Sequence, residues 1–134
     1  MSVHIVDEKT FLYSIALCIN VPTKREIVQA LKKNNLRYNI KDINSLMVDI
    51  RANSKKHACT FILEDPGIAV IVFYKWESDA FDYGTLTHEL FHSVDLFLRH
   101  HRDIRLSDDS DEVYAYHLGY FTRNFLNFIW EKKK

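Results

Sequence analysis

The sequence predicts an α+β domain in which a small, mainly antiparallel sheet packs on two helices. Three observations carry this. The apolar runs Ala58–Leu63 and Ile68–Trp76 flank a Pro-Gly turn and read as a hairpin. Leu86, Leu90, Val94 and Phe97 recur at helical spacing, and a second helical stretch follows Asp111. At 134 residues the chain suits one domain, residues 1–134.

In order, Phe11 to Val21 is rich in β-formers, is ended by Pro22, and reads as a first strand. Thr23 is placed to cap a helix from Lys24 to about Asn34, with Ile27, Ala30 and Leu31 as its buried stripe and Asn34-Asn35 as its stop. Between Leu36 and Asn53 the apolar residues have mixed spacing, which allows a short helix or an irregular strand. Ala58–Leu63, the turn Asp65-Pro66-Gly67 and Ile68–Trp76 form the hairpin. Glu77 to Gly84 is a polar connection in which Asp79 or Asp82 can cap the next helix. That helix runs to about His101, where Arg99, His100, His101 and Arg102 suit the negative end of its dipole. The acidic stretch Ser107–Asp111 opens a last helix with a core face of Tyr114, Leu118, Phe121, Phe125 and Phe128 and a frayed tail from Glu131 to Lys134. No repeat, linker or low-complexity segment interrupts this order.

Apolar residues make up 47% and aromatics 13% of the chain, enough for a core without staples. Formal charge is zero, with 18 basic and 18 acidic residues, so bulk electrostatics favour neither nucleic acid nor membrane as a partner. The basic patch from Arg99 to Arg105 is explained by a helix C-terminus. Cys18 and Cys59 sit in apolar runs and read as small buried hydrophobes of a reducing compartment. Without a basic, apolar leader or a run of transmembrane length, the expected location is cytoplasmic.

The chemistry centres on His88-Glu89-Leu90-Phe91-His92, which reads H-E-x-x-H. At 3.6 residues per turn His88 and His92 lie one turn apart on one face, so both imidazoles can reach one metal ion. Two imidazoles and a third ligand leave a fourth zinc position open for water, and the Glu89 carboxylate beside it can take a proton from that water. On the helical projection His88, His92, Asp95 and Arg99 form a polar stripe opposite Leu86, Leu90, Val94 and Phe97.

A third ligand is required. A third histidine six residues after His92 is absent, since that position is Leu98. Glu112, twenty residues after His92, can return on an antiparallel helix. It shares a face with Tyr116 and with Gly119, where a missing side chain permits a close helix approach. Asp108, Asp109 and Asp111 compete, although capping the helix explains them more simply. Tyr116, ahead of His117, is the candidate donor to a developing oxyanion. His4, His57, His100 and His101 have no partner spacing and read as surface histidines.

With Glu112 following H-E-x-x-H at this interval, the chain resembles the gluzincin branch of zinc metallopeptidases. The segments Gly84–Asp95 and Asp111–Tyr120 also resemble very small metallopeptidase-like proteins encoded by tailed bacteriophages, over roughly residues 58 to 130. The resemblance implies a minimal zincin-like fold and Zn2+ held by His88, His92 and Glu112. It also implies Glu89 as general base, a strand Ile68–Trp76 near the cleft, and a peptide or protein substrate. A phage origin would place the protein in the virion, among other virion proteins, or in host cytoplasm. Larger gluzincins carry an aspartate four residues after the ligand glutamate to orient a zinc histidine. Tyr116 stands there, and Asp95 is the expected substitute. Two further readings compete: a non-catalytic zinc protein of the virion, and a regulatory peptidase that cleaves a repressor. The pocket that reads side chains is expected from Leu36–Lys56 and the loop before the motif helix.

Overall fold

A computed structural model describes residues 3–64 and 67–133. Met1, Ser2, Asp65, Pro66 and Lys134 lie outside these, so the expected Asp65-Pro66-Gly67 turn is described only at Gly67, whose φ of +86° is the left-handed backbone that glycine accepts without strain.

The elements run β1 (Val3–Glu8), β2 (Tyr13–Ile19), α1 (Lys24–Lys33), α2 (Ile40–Ala52), β3 (Ala58–Leu63), β4 (Ile68–Phe73), α3 (Ala80–Leu96) and α4 (Asp111–Lys133), with a π-helical turn Phe97–His101 extending α3. This is an α+β chain. Its one four-stranded sheet has the order β1-β2-β4-β3, with β2 parallel to β4 and the two outer pairs antiparallel. The mainly antiparallel expectation holds.

The two central strands are buried along their whole length. Helices cover both faces, which is why β2 and β4 read as continuous apolar runs rather than alternating ones. On one face Ala16, Cys18, Val70 and Val72 pack against Ile27 and Leu31 of α1 and Ile43, Met47 and Ile50 of α2. On the other, Ile15, Leu17, Ile71 and Phe73 pack against Leu86, Leu90 and Val94 of α3 and Phe121, Phe125 and Ile129 of α4. The chain is therefore three layers deep, one more than the expected sheet on two helices.

Thr23 caps α1 with Glu26 in a reciprocal capping box, as its position predicted. The structure departs from expectation near both ends of the chain and decides one open segment between them. The strand expected over Phe11–Val21 is shorter, and β1, unforeseen, pairs with it along its length from Val3↔Cys18 to Glu8↔Tyr13. Of the two forms allowed for Leu36–Asn53, the helix is the one present, over Ile40–Ala52, capped by the Asn39 side chain. α4 continues through Glu131, where a frayed tail was expected.

Candidate metal centre

The H-E-x-x-H helix is well anchored at its start. Asp79 caps α3, and Asp82 returns the capping box. Asp82 is only 1% exposed and accepts from the Glu77 backbone N–H at 2.6 Å and from His57 Nε2 at 2.7 Å. Burial opposes ionisation of Asp82, but the Glu77 N–H, the His57 imidazole and the capping N–H groups outweigh it and hold the carboxyl below its ordinary value. His57, expected as an unpaired surface histidine, therefore ties the start of β3 to the start of α3. His4 is likewise engaged, stacked on Phe128 at 4.3 Å.

Leu86, Leu90, Ser93 and Val94 form the buried face of α3, which leaves His88 and His92 exposed. Their Nε2 atoms converge to 3.1 Å, with the rings 4.5 Å apart and nearly perpendicular. Two nitrogen lone pairs do not approach this closely unless a proton or a cation lies between them. Tetrahedral zinc with bonds of about 2.0–2.1 Å sets its ligand atoms roughly 3.4 Å apart. The pair therefore fits two corners of a zinc site.

Glu89, half-buried, projects toward the edge strand β3, where the Thr60 hydroxyl donates to its Oε2 in a short hydrogen bond. The backbone carbonyl of Glu89 accepts from Ser93 Oγ at 2.9 Å. Beside it runs a groove of about 460 Å³ between β3 and α3, lined by Lys56, Ala58, Cys59, Thr60 and Ile62 on one side and Glu89, His92, Asp95, Leu96 and Arg99 on the other. The wall is β3. The strand expected near the cleft, Ile68–Trp76, corresponds to β4 and lies one position inward, because β3 takes the sheet edge.

The remaining candidates stand apart from this pair. Glu112 is exposed in the first turn of α4. Among the described residues no group of three or more His, Cys, Asp or Glu gathers closely enough to hold a metal, so neither Glu112 nor Asp108, Asp109 or Asp111 joins His88 and His92 in this conformation. Tyr116 is 55% exposed, and its ring contacts are with His117 and Tyr120 of its own helix. Among the described residues nothing outside its own helix turn lies within 4 Å of where a Cβ on Gly119 would stand, so the close approach of two helices expected there is not seen. The Glu112–Tyr116–Gly119 face is the outer face of α4.

Asp95 does not orient a motif histidine. Its Oδ1 accepts from the Tyr114 hydroxyl at 2.9 Å and its Oδ2 pairs with Arg99 at 3.1 Å. Burial, followed by Asp95, pushes the Tyr114 hydroxyl up to about 12. Tyr114 also meets the Phe91 ring at 6.4 Å, so the first turn of α4 docks on α3 to either side of His92.

The inner face of α4 carries a histidine that sequence reasoning placed elsewhere. His117 is fully buried, with Nδ1 2.6 Å from the Tyr13 hydroxyl and Nε2 3.7 Å from Glu8 Oε2. The signal for it was its place in the Tyr114–Phe121 stripe, one turn from each. Thr60 was also missed; its signal was alternation, which puts Ala58, Thr60 and Ile62 on one face of β3.

No protein-family model, no curated protein and no solved structure matches the chain. Among the described residues no helix is long and apolar enough to cross a membrane.

Proposed function

We propose that the chain is a zinc-dependent, zincin-like peptidase whose centre is the outward face of α3. The observation that carries this reading is the convergence of His88 and His92 Nε2 at 3.1 Å beside a groove into which Glu89 projects from the same helix. His88 and His92 would hold the ion, with Glu112 as the third ligand. Among the described residues no hydrogen bond or ion pair restrains the Glu112 carboxylate, and Tyr114 places its turn against the residues flanking His92. Zinc, when bound, supplies the Lewis acidity that makes water a nucleophile near neutral pH and polarises a carbonyl.

The chain's own residues supply the rest. Glu89 takes a proton from the attacking water and delivers it to the departing amine nitrogen. The groove along β3 gives an extended chain somewhere to lie, with free backbone groups at the sheet edge. Tyr116, on the outer face of α4, is not needed for this account. A virion or host-cell setting rests on the resemblance to phage proteins alone.

The exposure of both imidazoles favours catalysis over a structural ion, because a coordination position open to water and substrate marks a catalytic site, whereas a structural site is closed by protein ligands. Cleavage of an unstructured protein such as casein by the zinc-loaded chain tests the reading. Glu89→Gln is expected to keep its zinc and lose cleavage; a variant with zinc and full activity removes Glu89 from its role.

A further inference from the structure

Glu89 is not left to find its own orientation. Three torsions separate a glutamate carboxylate from its backbone, and on a half-exposed helix face several of its rotamers are open. Here a different element restrains it. Thr60 sits in the middle of β3, paired with Ile71 of β4, and by alternation its side chain leaves the sheet on the α3 side. Its hydroxyl reaches Glu89 Oε2, whereas Oε1 has no protein donor among the described residues. A hydroxyl that donates to a carboxylate makes a charge-assisted bond, stronger than one between neutral groups. The backbone beneath is fixed as well, by Ser93 Oγ on the Glu89 carbonyl.

We infer that Thr60 is a positioning residue for Glu89: its hydroxyl holds Oε2 against the sheet edge and leaves Oε1 as the atom that meets water in the groove. The inference rests on the peptidase reading for its consequence, but the contact it names stands on geometry. Among the described residues Thr60 makes no hydrogen bond to the histidine pair, and its contact is with Oε2, not with the Oε1 assigned to the water. It acts by narrowing the arrangements of Glu89 to one, so that the proton acceptor is in place before substrate arrives.

Thr60→Val keeps the β-branched shape and the strand preference while removing the hydroxyl, and Thr60→Ser restores a donor. Zinc content and the thermal midpoint of both variants are expected to match the unmodified chain. With a quenched-fluorescence peptide library, Thr60→Val should lower kcat by roughly 10- to 100-fold with KM unchanged, and Thr60→Ser should recover most of it. The second readout needs no turnover. In the zinc-free chain the side-chain carboxyl carbon of Glu89 should give one sharp NMR resonance, which moves toward the value of a free glutamate in Thr60→Val and not in Thr60→Ser.

An unmoved resonance in Thr60→Val overturns the contact itself. A moved resonance with kcat unchanged overturns its catalytic role. If the library is not cut by the unmodified chain, the peptidase reading falls and takes the catalytic role with it, while the resonance still decides the contact.

Discussion

Tyr13 and His117 meet in the core, hydroxyl to Nδ1 at 2.6 Å, across 104 residues of chain. The bond joins β2 to α4 beneath the loop that connects β1 with β2. That loop is held from within by Glu8, whose carboxylate accepts from the backbone of Thr10 at 2.8 Å and of Phe11 at 3.1 Å. It is held from outside by Arg102 Nε, which donates to the Phe11 carbonyl at 2.9 Å. Leu12, at φ +57° and 75% exposed, is the strained tip of this loop.

This arrangement predicts a pH dependence of stability. Burial lowers the pKa of His117 below its ordinary value of 6.5, and the Glu8 charge only partly opposes that. The unfolded chain therefore binds this proton more readily than the folded one. The contribution of neutral His117 is complete above 6.5 and is lost as pH falls below it. Urea unfolding midpoints should decline between pH 7 and pH 5, and His117→Gln should flatten that decline while lowering stability at pH 7. An unchanged slope would contradict the assignment.

Asp82 contributes in the same direction at lower pH, through its charged form rather than its neutral one. Its carboxyl is held below the ordinary 3.8, so its stabilisation is present above that value and lost as pH falls below it. Asp82→Asn removes the charge from hydrogen bonds to His57 and the Glu77 N–H, a cost of roughly 1.5–3 kcal/mol. The loss should appear in urea unfolding at pH 7 and shrink in strong acid, where the unmodified chain has also lost the charge. Equal stability at pH 7 would remove Asp82 as the anchor of α3.

Much of the fold was legible because the signals were local. The Thr23 cap, the β3–β4 hairpin and the motif helix depend on residues close in sequence. In α2 the buried residues Ile43, Leu46, Met47 and Ile50 follow helical i, i+3, i+4, i+7 spacing, but exposed Ile40 blurred the pattern. β1 was invisible for a different reason. Its short Val3–Glu8 segment becomes a strand only by pairing with β2, a partner the local pattern does not reveal.

The site divides the same way. His88 and His92 are brought together by helical geometry alone. Whether Glu112 also faces them depends on which side of α4 turns inward. That choice is made by Tyr114, Phe121 and Phe125 together with His117, a polar residue whose burial is possible because Tyr13, far away in sequence, provides its partner. The outward turn of Tyr116 and Gly119 follows from it.

Glu112 gives a separate prediction. If its carboxylate completes the centre, Glu112→Gln should weaken zinc binding without moving the thermal midpoint of the zinc-free chain, because the side chain is exposed and makes no hydrogen bond or ion pair among the described residues. Competition with a chromogenic chelator measures this. Unaltered zinc affinity would assign the third position to another group.

The central claim is that His88 and His92 share a zinc ion, and calorimetric titration of zinc into the purified full chain tests it most directly. The unmodified chain should bind stoichiometric zinc, His88→Ala and His92→Ala should each lose that binding, and all three should unfold at similar temperatures without metal. Absence of zinc uptake by the unmodified chain, or uptake that survives in both variants, would contradict the account.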